Sequence, residues 1–253
     1  TTGDFVYPAY LRSTTTPPDS NFLKAGFLAG LNAAAADPAA GLAATEGKLW
    51  YDAQASFSTL IKARTPAVAY PGDTAFTNSR GLGRLSSQLS NQLKLVAQMI
   101  ASGIPGQVYT VRLGGFDTHS NEATDYRNLM GALGGSIKAF HDDLATIDTT
   151  VDGKTVKAQD RVLVMAWSEF GRRIKENNGG TDHGTSALSF CVGNMVKGGF
   201  HGSGFPDLSK PDSNGNMVST TDFRSLYATI LDRFLGADSK AVLGATYAPL
   251  GFL

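Results

Sequence analysis

The sequence predicts an α/β fold with a doubly wound, mostly parallel sheet and helices on both of its faces. Two observations lead to this prediction. Apolar runs such as "RVLVMAW" at residues 161–167 show no polar alternation, which is typical of strands that are buried on both faces of a sheet. Segments with apolar residues at helical spacing separate these runs, and they are long enough to form the crossover between two parallel strands.

Two regions are predicted along the chain. Residues 1–80 form a helical, loop-rich amino-terminal segment packed on the core, with helices over residues 21–36 and 47–63 and loop signals such as "TTTPPDS". Residues 81–253 form the α/β core that carries a metal site. The core begins with a helix, because Leu85, Leu89, Leu93, Val96 and Ile100 fall on one stripe and Gly103 stands at its end.

The rest of the core alternates strands and helices. "QVYTVRL" at 107–113, "RVLVMAW" at 161–167 and "ALSFCVGN" at 187–194 are predicted strands, and the turn-rich "TTVDGKT" precedes the second of them. A helix after the first strand has an apolar face formed by Tyr126, Leu129, Met130, Leu133, Ile137, Phe140 and Leu144. A final helix is predicted around Phe223, Leu226, Tyr227, Ile230, Leu231 and Phe234.

Composition excludes some classes of partner. Lys and Arg together number 22, as do Asp and Glu, so no net charge draws the chain towards nucleic acid or anionic lipid. No apolar run approaches the roughly 20 residues that span a bilayer, so we expect no membrane span. Cys191 is the single cysteine, and its apolar neighbours predict a buried strand residue rather than a reactive thiol.

Polar side chains gather after the predicted strands. "GGFDTH" follows the first strand, "SEFGRR" follows the second, and "NNGGTDHG" lies in a glycine-rich loop shortly after. Functional groups collect outside the carboxyl ends of parallel strands. We therefore expect five side chains to converge: Asp117, His119, Glu169, Asp182 and His183.

Carboxylates mixed with imidazoles are ligands for a divalent ion, and the set does not distinguish zinc, manganese, iron and magnesium. The Asp117-x-His119 spacing allows both side chains to point from an irregular turn to one position. The adjacent Asp182 and His183 can do so only in a bent loop, which the preceding glycines permit. A metal there would polarise an ester oxygen or lower the pKa of a bound water.

Each residue also has a structural interpretation. Asp117 could cap the helix that begins near Asn121, and Glu169 could pair with Arg172 on one helical turn. Simpler interpretations also hold for the others: a hydrogen-bonded surface residue for His119, loop stabilisation for Asp182 with His183, a solvated position for His141, and a plain turn for Asn177 and Asn178. His201, framed by glycines, is a candidate for a peripheral ligand or substrate contact.

Four motifs in the same order, "GGFDTH", "SEFGRR", "GTDHG" and "TTDFRSLYATIL", resemble the bacterial family called domain of unknown function 1501 over about residues 80–253. That family is placed with the alkaline phosphatase and sulfatase superfamily. The resemblance implies an alkaline-phosphatase-like α/β fold and a site similar in layout to that of two-metal phosphatases. It also implies export of the precursor, often by the twin-arginine route, to the periplasm or the exterior.

The resemblance assigns residues in two alternative registers. Asp117 and His119 match one metal position, although the superfamily spacing is usually wider. If the motifs are matched by their letters, "TDHG" is the Asp-His-Gly motif of the second metal position, and His201 is the distal histidine. By position after the strand, Glu169 is the carboxylate and His183 the distal ligand, and we prefer this second register.

Departures from the superfamily pattern matter for function. No strand with a metal-binding aspartate and a nucleophile is visible near Thr1, and the sulfatase signature is absent. We therefore expect this chain to be the carboxyl-terminal portion of a longer precursor, with part of the site on a missing amino-terminal fragment or partner chain.

The expected function is that of an exported, metal-dependent hydrolase-like protein acting on an anionic phosphate or sulfate ester. Arg172 would bind an anionic oxygen of that ester, and Asp182 would ligate the metal or orient His183. The alternative is a catalytically inactive exported binding or scaffold protein that retains the fold.

Overall fold

The computed structural model describes residue 61 and residues 64–71, 85–104 and 106–253. The described residues fall in two compact units: residues 67–71, 85–93 and 111–253 belong to the larger unit, and the others belong to the smaller. The helices predicted over residues 21–36 and 47–63 lie outside the described residues, apart from Ile61, as does most of the predicted 1–80 segment. The candidate site lies within the larger unit.

The first described helix, α1, spans Leu85–Ala101 as predicted. Leu89 and Leu93 on its apolar stripe are buried. Gly103 follows the helix with a φ of 72°, and its N–H donates to the carbonyl of Ile100 at 3.0 Å. This left-handed conformation favours glycine and explains why the helix ends here.

The second helix, α2, spans Glu122–Leu144 and supplies the centre of the core in the larger unit. Leu129, Phe140 and Leu144 are at most 2% exposed, which confirms the predicted apolar face. The same face extends less far than predicted, because Tyr126 is 46% exposed and Met130 is 38% exposed.

Two polar contacts hold α2 in place. The hydroxyl groups of Ser136 on α2 and Ser90 on α1 are both buried and lie 3.0 Å apart. The buried carboxylate of Asp143 accepts hydrogen bonds from the Ala67 N–H at 2.9 Å and from the Tyr70 hydroxyl at 3.2 Å. Buried polar groups are tolerated only with such partners, so these bonds fix the helix against its neighbours.

The strands in the described residues are short and form three antiparallel pairs. β1 (Asp148–Val151) pairs with β2 (Lys154–Lys157), β3 (Val164–Ala166) with β6 (Phe190–Val192), and β4 (Gly171–Asn177) with β5 (Gly180–Gly184). A 3₁₀ turn at Ala158–Asp160 follows β2. The fold is thus a mixture of helices and small antiparallel sheets, and the predicted doubly wound parallel sheet is not supported.

Two hairpin turns give the physical reason for two of the three antiparallel pairs. Asp152 and Gly153 join β1 to β2 with φ values of 49° and 75°, and Asn178 and Gly179 join β4 to β5 with 56° and 80°. A two-residue turn with positive φ at both positions connects only antiparallel neighbours, whereas parallel strands need a long crossover. The turn interpretation of the asparagines at 177–178 is confirmed for Asn178.

The predicted strand at 107–113 is irregular in the structure. Val108 is 72% exposed, so this apolar run is not buried as a central strand would be. The backbone N–H and C=O of Arg112 instead bond to the side-chain amide of Gln92, both at 2.9 Å. The other two predicted strands are confirmed in shortened form as β3 and β6.

The carboxyl-terminal region is helical, as predicted. α3 spans Phe223–Ile230, and the Asp222 side chain caps it by accepting from the Arg224 N–H at 2.9 Å. A π-helical turn at Leu231–Leu235 and a short helix, α4, at Ser239–Leu243 follow. Among the residues that the structure describes, no helix combines the length and apolar character that a membrane crossing requires.

Candidate metal centre

Two segments build the candidate site: the irregular loop at 114–121 that leads into α2, and the β4–β5 hairpin. The N–H of Glu122 donates to the carbonyl of Gly179 at 2.8 Å, and the Thr181 hydroxyl donates to the Glu122 carboxylate at 2.9 Å. Gly180 lies so close to the loop that a Cβ atom there would be 2.3 Å from the carbonyl carbon of His119. The loop and the hairpin are therefore in direct contact.

Asp117, His119 and His183 meet where these segments touch. One carboxylate oxygen of Asp117 lies 2.7 Å from His183 Nε2 and 2.9 Å from His119 Nε2. One ligand atom from each residue lies within 4.8 Å of the other two. We refer to these three residues as the Asp-His-His cluster.

The cluster is open to solvent. The side chains of Asp117, His119 and His183 are 52%, 39% and 47% exposed. Because a carboxylate only accepts hydrogen bonds, each Nε2 atom in this arrangement carries the hydrogen. The hydrogen bond from His183, followed by that from His119, lowers the pKa of Asp117 despite partial desolvation. Asp117 is therefore a carboxylate at neutral pH, as a metal ligand must be.

Aromatic contacts fix the orientation of the His183 ring. The Phe170 ring stacks on it with centroids 4.1 Å apart and planes inclined by 4°. The His119 ring also contacts it, at 5.3 Å and 28°. Stacking of this kind restricts rotation of the imidazole and keeps Nε2 directed at Asp117.

Arg172 on β4 connects the two segments of the site. Its Nη1 donates to the carbonyl of Thr181 at 2.6 Å, and its Nη2 donates to the Thr118 hydroxyl at 3.1 Å and to the carbonyl of Phe116. The guanidinium carbon also lies 5.1 Å from the centroid of the Phe170 ring. At least three of its N–H groups thus bond to protein oxygen atoms.

Comparison with known families identifies the group to which this chain belongs. A family model described as Protein of unknown function (DUF1501) matches residues 77–248, which is more than half of the chain. The chain belongs to the DUF1501 family. Searches of curated proteins and of solved structures gave no match. Membership confirms the family resemblance that the four sequence motifs indicated.

Three of the five metal ligands predicted for this DUF1501 protein lie together, and two do not. The Asp182 carboxylate is 3.9 Å from His119 Nδ1 and 3.5 Å from the Asn177 amide nitrogen, so it borders the cluster on the side of His119 rather than of His183. Glu169 is exposed and is not part of the cluster. The ligand role of Glu169 stays a prediction.

The structure also bears on the structural interpretations of these residues. Asn121 is the N-cap residue of α2, so Asp117 does not occupy that position. Arg172 lies on strand β4 and not on a helical turn with Glu169. Asp182 and His183 belong to the extended strand β5 rather than to a bent loop.

The remaining histidines have other partners. His201 is exposed, and its Nε2 lies 2.8 Å from the carbonyl oxygen of Lys197. His141 Nδ1 lies 3.0 Å from the side-chain amide nitrogen of Gln159. Neither belongs to the Asp-His-His cluster. The preferred register of the family motif assigned the distal ligand to His183 rather than to His201. Of these two histidines, His183 is the one that lies in the cluster.

Sequence reasoning missed the residues that support the cluster. Thr118 lies inside the "DTH" motif and Phe170 inside "SEFG", but neither is a metal ligand by chemistry, so a search for ligand types passes over them. The available signal was their position in the sequence: Thr118 lies between Asp117 and His119, and Phe170 lies between Glu169 and Arg172. Both contact Arg172, and Phe170 also contacts His183.

Proposed function

We propose that this chain is an exported, metal-dependent hydrolase-like protein that acts on phosphate or sulfate esters, and that Asp117, His119 and His183 hold its divalent ion. The observation that supports the ion is the proximity of three ligand atoms from positions up to 66 residues apart in the sequence. Two imidazoles and one carboxylate are suitable ligands for zinc, manganese and iron. The carboxylate is also a suitable ligand for magnesium.

Two of the three ligand-atom separations fit an ion after small adjustments, and the third is at most 4.8 Å. Ligand atoms around a tetrahedral zinc lie about 3.3 Å apart, given bond lengths of about 2.0–2.2 Å. The present separations of 2.7 and 2.9 Å mean that the carboxylate and the imidazoles would move apart by about half an ångström. Each Nε2 would also lose its hydrogen, so that the neutral rings carry it on Nδ1.

Asp182 suits that second tautomer. In it, Nδ1 of His119 carries a hydrogen, and the Asp182 carboxylate lies 3.9 Å from this atom. Metal-bound histidines usually donate their other ring N–H to a carboxylate, a carbonyl or a water. Asp182 would orient His119 after moving closer by about 1 Å, to hydrogen-bonding distance, whereas the sequence predicted that it would ligate the metal or orient His183.

Three protein ligands leave coordination positions for a water or a substrate oxygen, as catalytic sites require. A bound divalent ion would polarise an ester oxygen or activate a water. The solvent exposure of the cluster supports access by a substrate. The choice of phosphate or sulfate esters, and export by the twin-arginine route, rest on the resemblance of the motifs to the alkaline phosphatase and sulfatase superfamily.

Metal binding is tested first by elemental analysis of protein purified without chelators, and by calorimetric titration with zinc and manganese. Asp117→Asn and His183→Gln should each weaken binding by about 100-fold or more, because each removes one of three ligands. His201→Gln is the matched control and should bind as the wild type does. Equal affinity in all four proteins would contradict the proposed site.

Turnover is tested separately with p-nitrophenyl phosphate and p-nitrophenyl sulfate, with added metal and with EDTA. Metal-dependent hydrolysis that Asp117→Asn abolishes and His201→Gln retains would support the hydrolase. Tight metal binding without hydrolysis of either ester would instead support the inactive binding or scaffold alternative. Glu169→Gln in the same assays shows whether Glu169 is a fourth ligand.

A further inference from the structure

The geometry points to Arg172 as a positioning residue that holds the two halves of the Asp-His-His cluster in register. This inference rests on the proposed metal site. The ligands come from two segments with no ladder of backbone hydrogen bonds between them, since the loop at 114–121 is irregular and β5 pairs with β4. The bonds of Glu122 to Gly179 and Thr181 join the two segments at the start of α2, and Arg172 adds contacts directly beside the ligands.

Arg172 contacts both segments next to the ligands. On the loop side, Nη2 bonds to Phe116 and to Thr118, the two residues that flank Asp117. On the hairpin side, Nη1 bonds to the carbonyl of Thr181, two residues before His183. In the β4–β5 ladder, Arg172 is also the residue opposite His183.

The shape of the guanidinium makes it suited to this role. Its planar fork presents several N–H donors in fixed directions, so one side chain can bond to both segments at once. Lysine would offer a single mobile ammonium group in its place. Thr118 is 5% exposed, so the bond that it accepts from Arg172 is shielded from water. Hydrogen bonds from a charged donor are stronger in such a shielded position than in water.

This role differs from the binding of a substrate anion, which the sequence predicted for Arg172. At least three of its five N–H groups already bond to carbonyl and hydroxyl oxygens of the loop and the hairpin. The Phe170 ring adds support on the hairpin side, because its centroid lies 5.1 Å from the Arg172 guanidinium carbon and 4.1 Å from the centroid of the His183 ring. Loss of Arg172 would thus displace ligands on both segments.

The test compares Arg172→Met with Arg173→Met, its neighbour on the same strand, in the full chain. Titration with Co²⁺ should show affinity lower by about 10- to 100-fold in Arg172→Met, which is typical of residues that orient metal ligands, and unchanged in Arg173→Met. The visible absorption of bound Co²⁺ should also change in shape, because the ligand geometry is altered.

A second readout requires no metal. In ¹H–¹⁵N spectra of the histidine rings, the wild type should show Nε2–H signals for His119 and His183, and Arg172→Met should lose or shift both. Arg172→Lys should resemble Arg172→Met if the fork is required. Thr118→Val, which removes one acceptor and keeps the side-chain shape, should give a smaller loss, and it remains informative where Arg172→Met fails to fold.

The outcomes separate this inference from the proposed function. Folded Arg172 variants with Co²⁺ affinity within about twofold of the wild type and unchanged ring signals would overturn the positioning role. A wild type that binds no metal would overturn the proposed function, and the ring signals alone would then decide whether Arg172 positions the three side chains.

Discussion

A single oxygen atom of Asp117 organises the candidate site. It accepts from two imidazoles at once, at 2.7 and 2.9 Å, although more than half of this carboxylate is exposed. Exposed charged pairs contribute little to stability, typically under about 1 kcal/mol. The proposed ion would give a role to this arrangement, in which two rings are directed at one solvent-exposed carboxylate.

Metal-free Asp117→Asn should consequently lose less than about 1 kcal/mol in free energy of unfolding at pH 7. Since the pKa of Asp117 is lowered in the folded chain, its contribution is present above the usual aspartate range and is lost as the pH falls through the folded pKa. Urea unfolding in EDTA measures both effects. A loss of several kcal/mol would make the cluster a structural network.

Cys191 offers a second test at the level of a single residue. Its side chain is half-buried on β6, and burial raises the pKa of the thiol to about 11. Any stabilisation linked to this neutral thiol is present below the ordinary pKa and is lost as the pH rises through the folded value. The thiolate is the reactive form, so the folded chain should react slowly at neutral pH.

We therefore expect the folded chain to react with iodoacetamide at pH 8 at least about 10-fold more slowly than the urea-unfolded chain does, since the thiolate fraction falls about tenfold per pKa unit. Mass spectrometry of timed samples gives both rates. Equal rates would contradict the burial of this thiol and would reopen the alternative of a reactive cysteine.

The β4–β5 hairpin is the element on which the site depends. Its turn uses Asn178 and Gly179 at positive φ, and the next residue, Gly180, allows the loop backbone to approach closely. Glu122 at the start of α2 bonds to both the turn and Thr181. The hairpin thus determines where His119 lies as well as carrying His183.

Gly180→Ala should disturb both stability and metal binding. Its Cβ would lie 2.3 Å from the His119 carbonyl carbon and 2.6 Å from its Cα, so the loop backbone must move. We expect a loss of about 1–3 kcal/mol, as is typical of overpacking, together with weaker metal binding. Thermal unfolding with and without zinc measures both.

Gly134→Ala is the matched control on α2. This glycine is exposed, and nothing lies within 4 Å of the position of an added Cβ. Replacement inside a helix should stabilise the chain by up to about 1 kcal/mol and raise Tm by roughly 2–4 °C. If Gly180→Ala behaved like Gly134→Ala, the close contact between the hairpin and the loop would be wrong.

At the scale of the whole molecule, the helices were predictable because their signals are local. The leucine stripe of α1 and the apolar spacing of α2 report which face is buried, and Gly103 marks an end. Strand partners are not local in this way. An apolar run such as 161–167 has the same appearance in a parallel or an antiparallel sheet, so the predicted topology went beyond what the pattern contains.

The site was predictable to the extent that ligand chemistry is visible in side-chain types. Asp117 and His119 stand in "DTH", and His183 stands in "TDHG". Both motifs predicted metal binding, and the three side chains lie together. The expected sheet edge that was to unite them is not found among the described strands. Contact between the loop and the hairpin unites them instead, through Gly180, Glu122 and Arg172, whose roles depend on tertiary structure.

The most direct test is an anomalous difference map from crystals of the full chain grown with zinc and measured at the zinc absorption edge. A peak about 2.0–2.2 Å from a carboxylate oxygen of Asp117 and from ring nitrogens of both His119 and His183 is predicted. Zinc bound only elsewhere, for example at His201, or no zinc peak at these three side chains, would contradict the account.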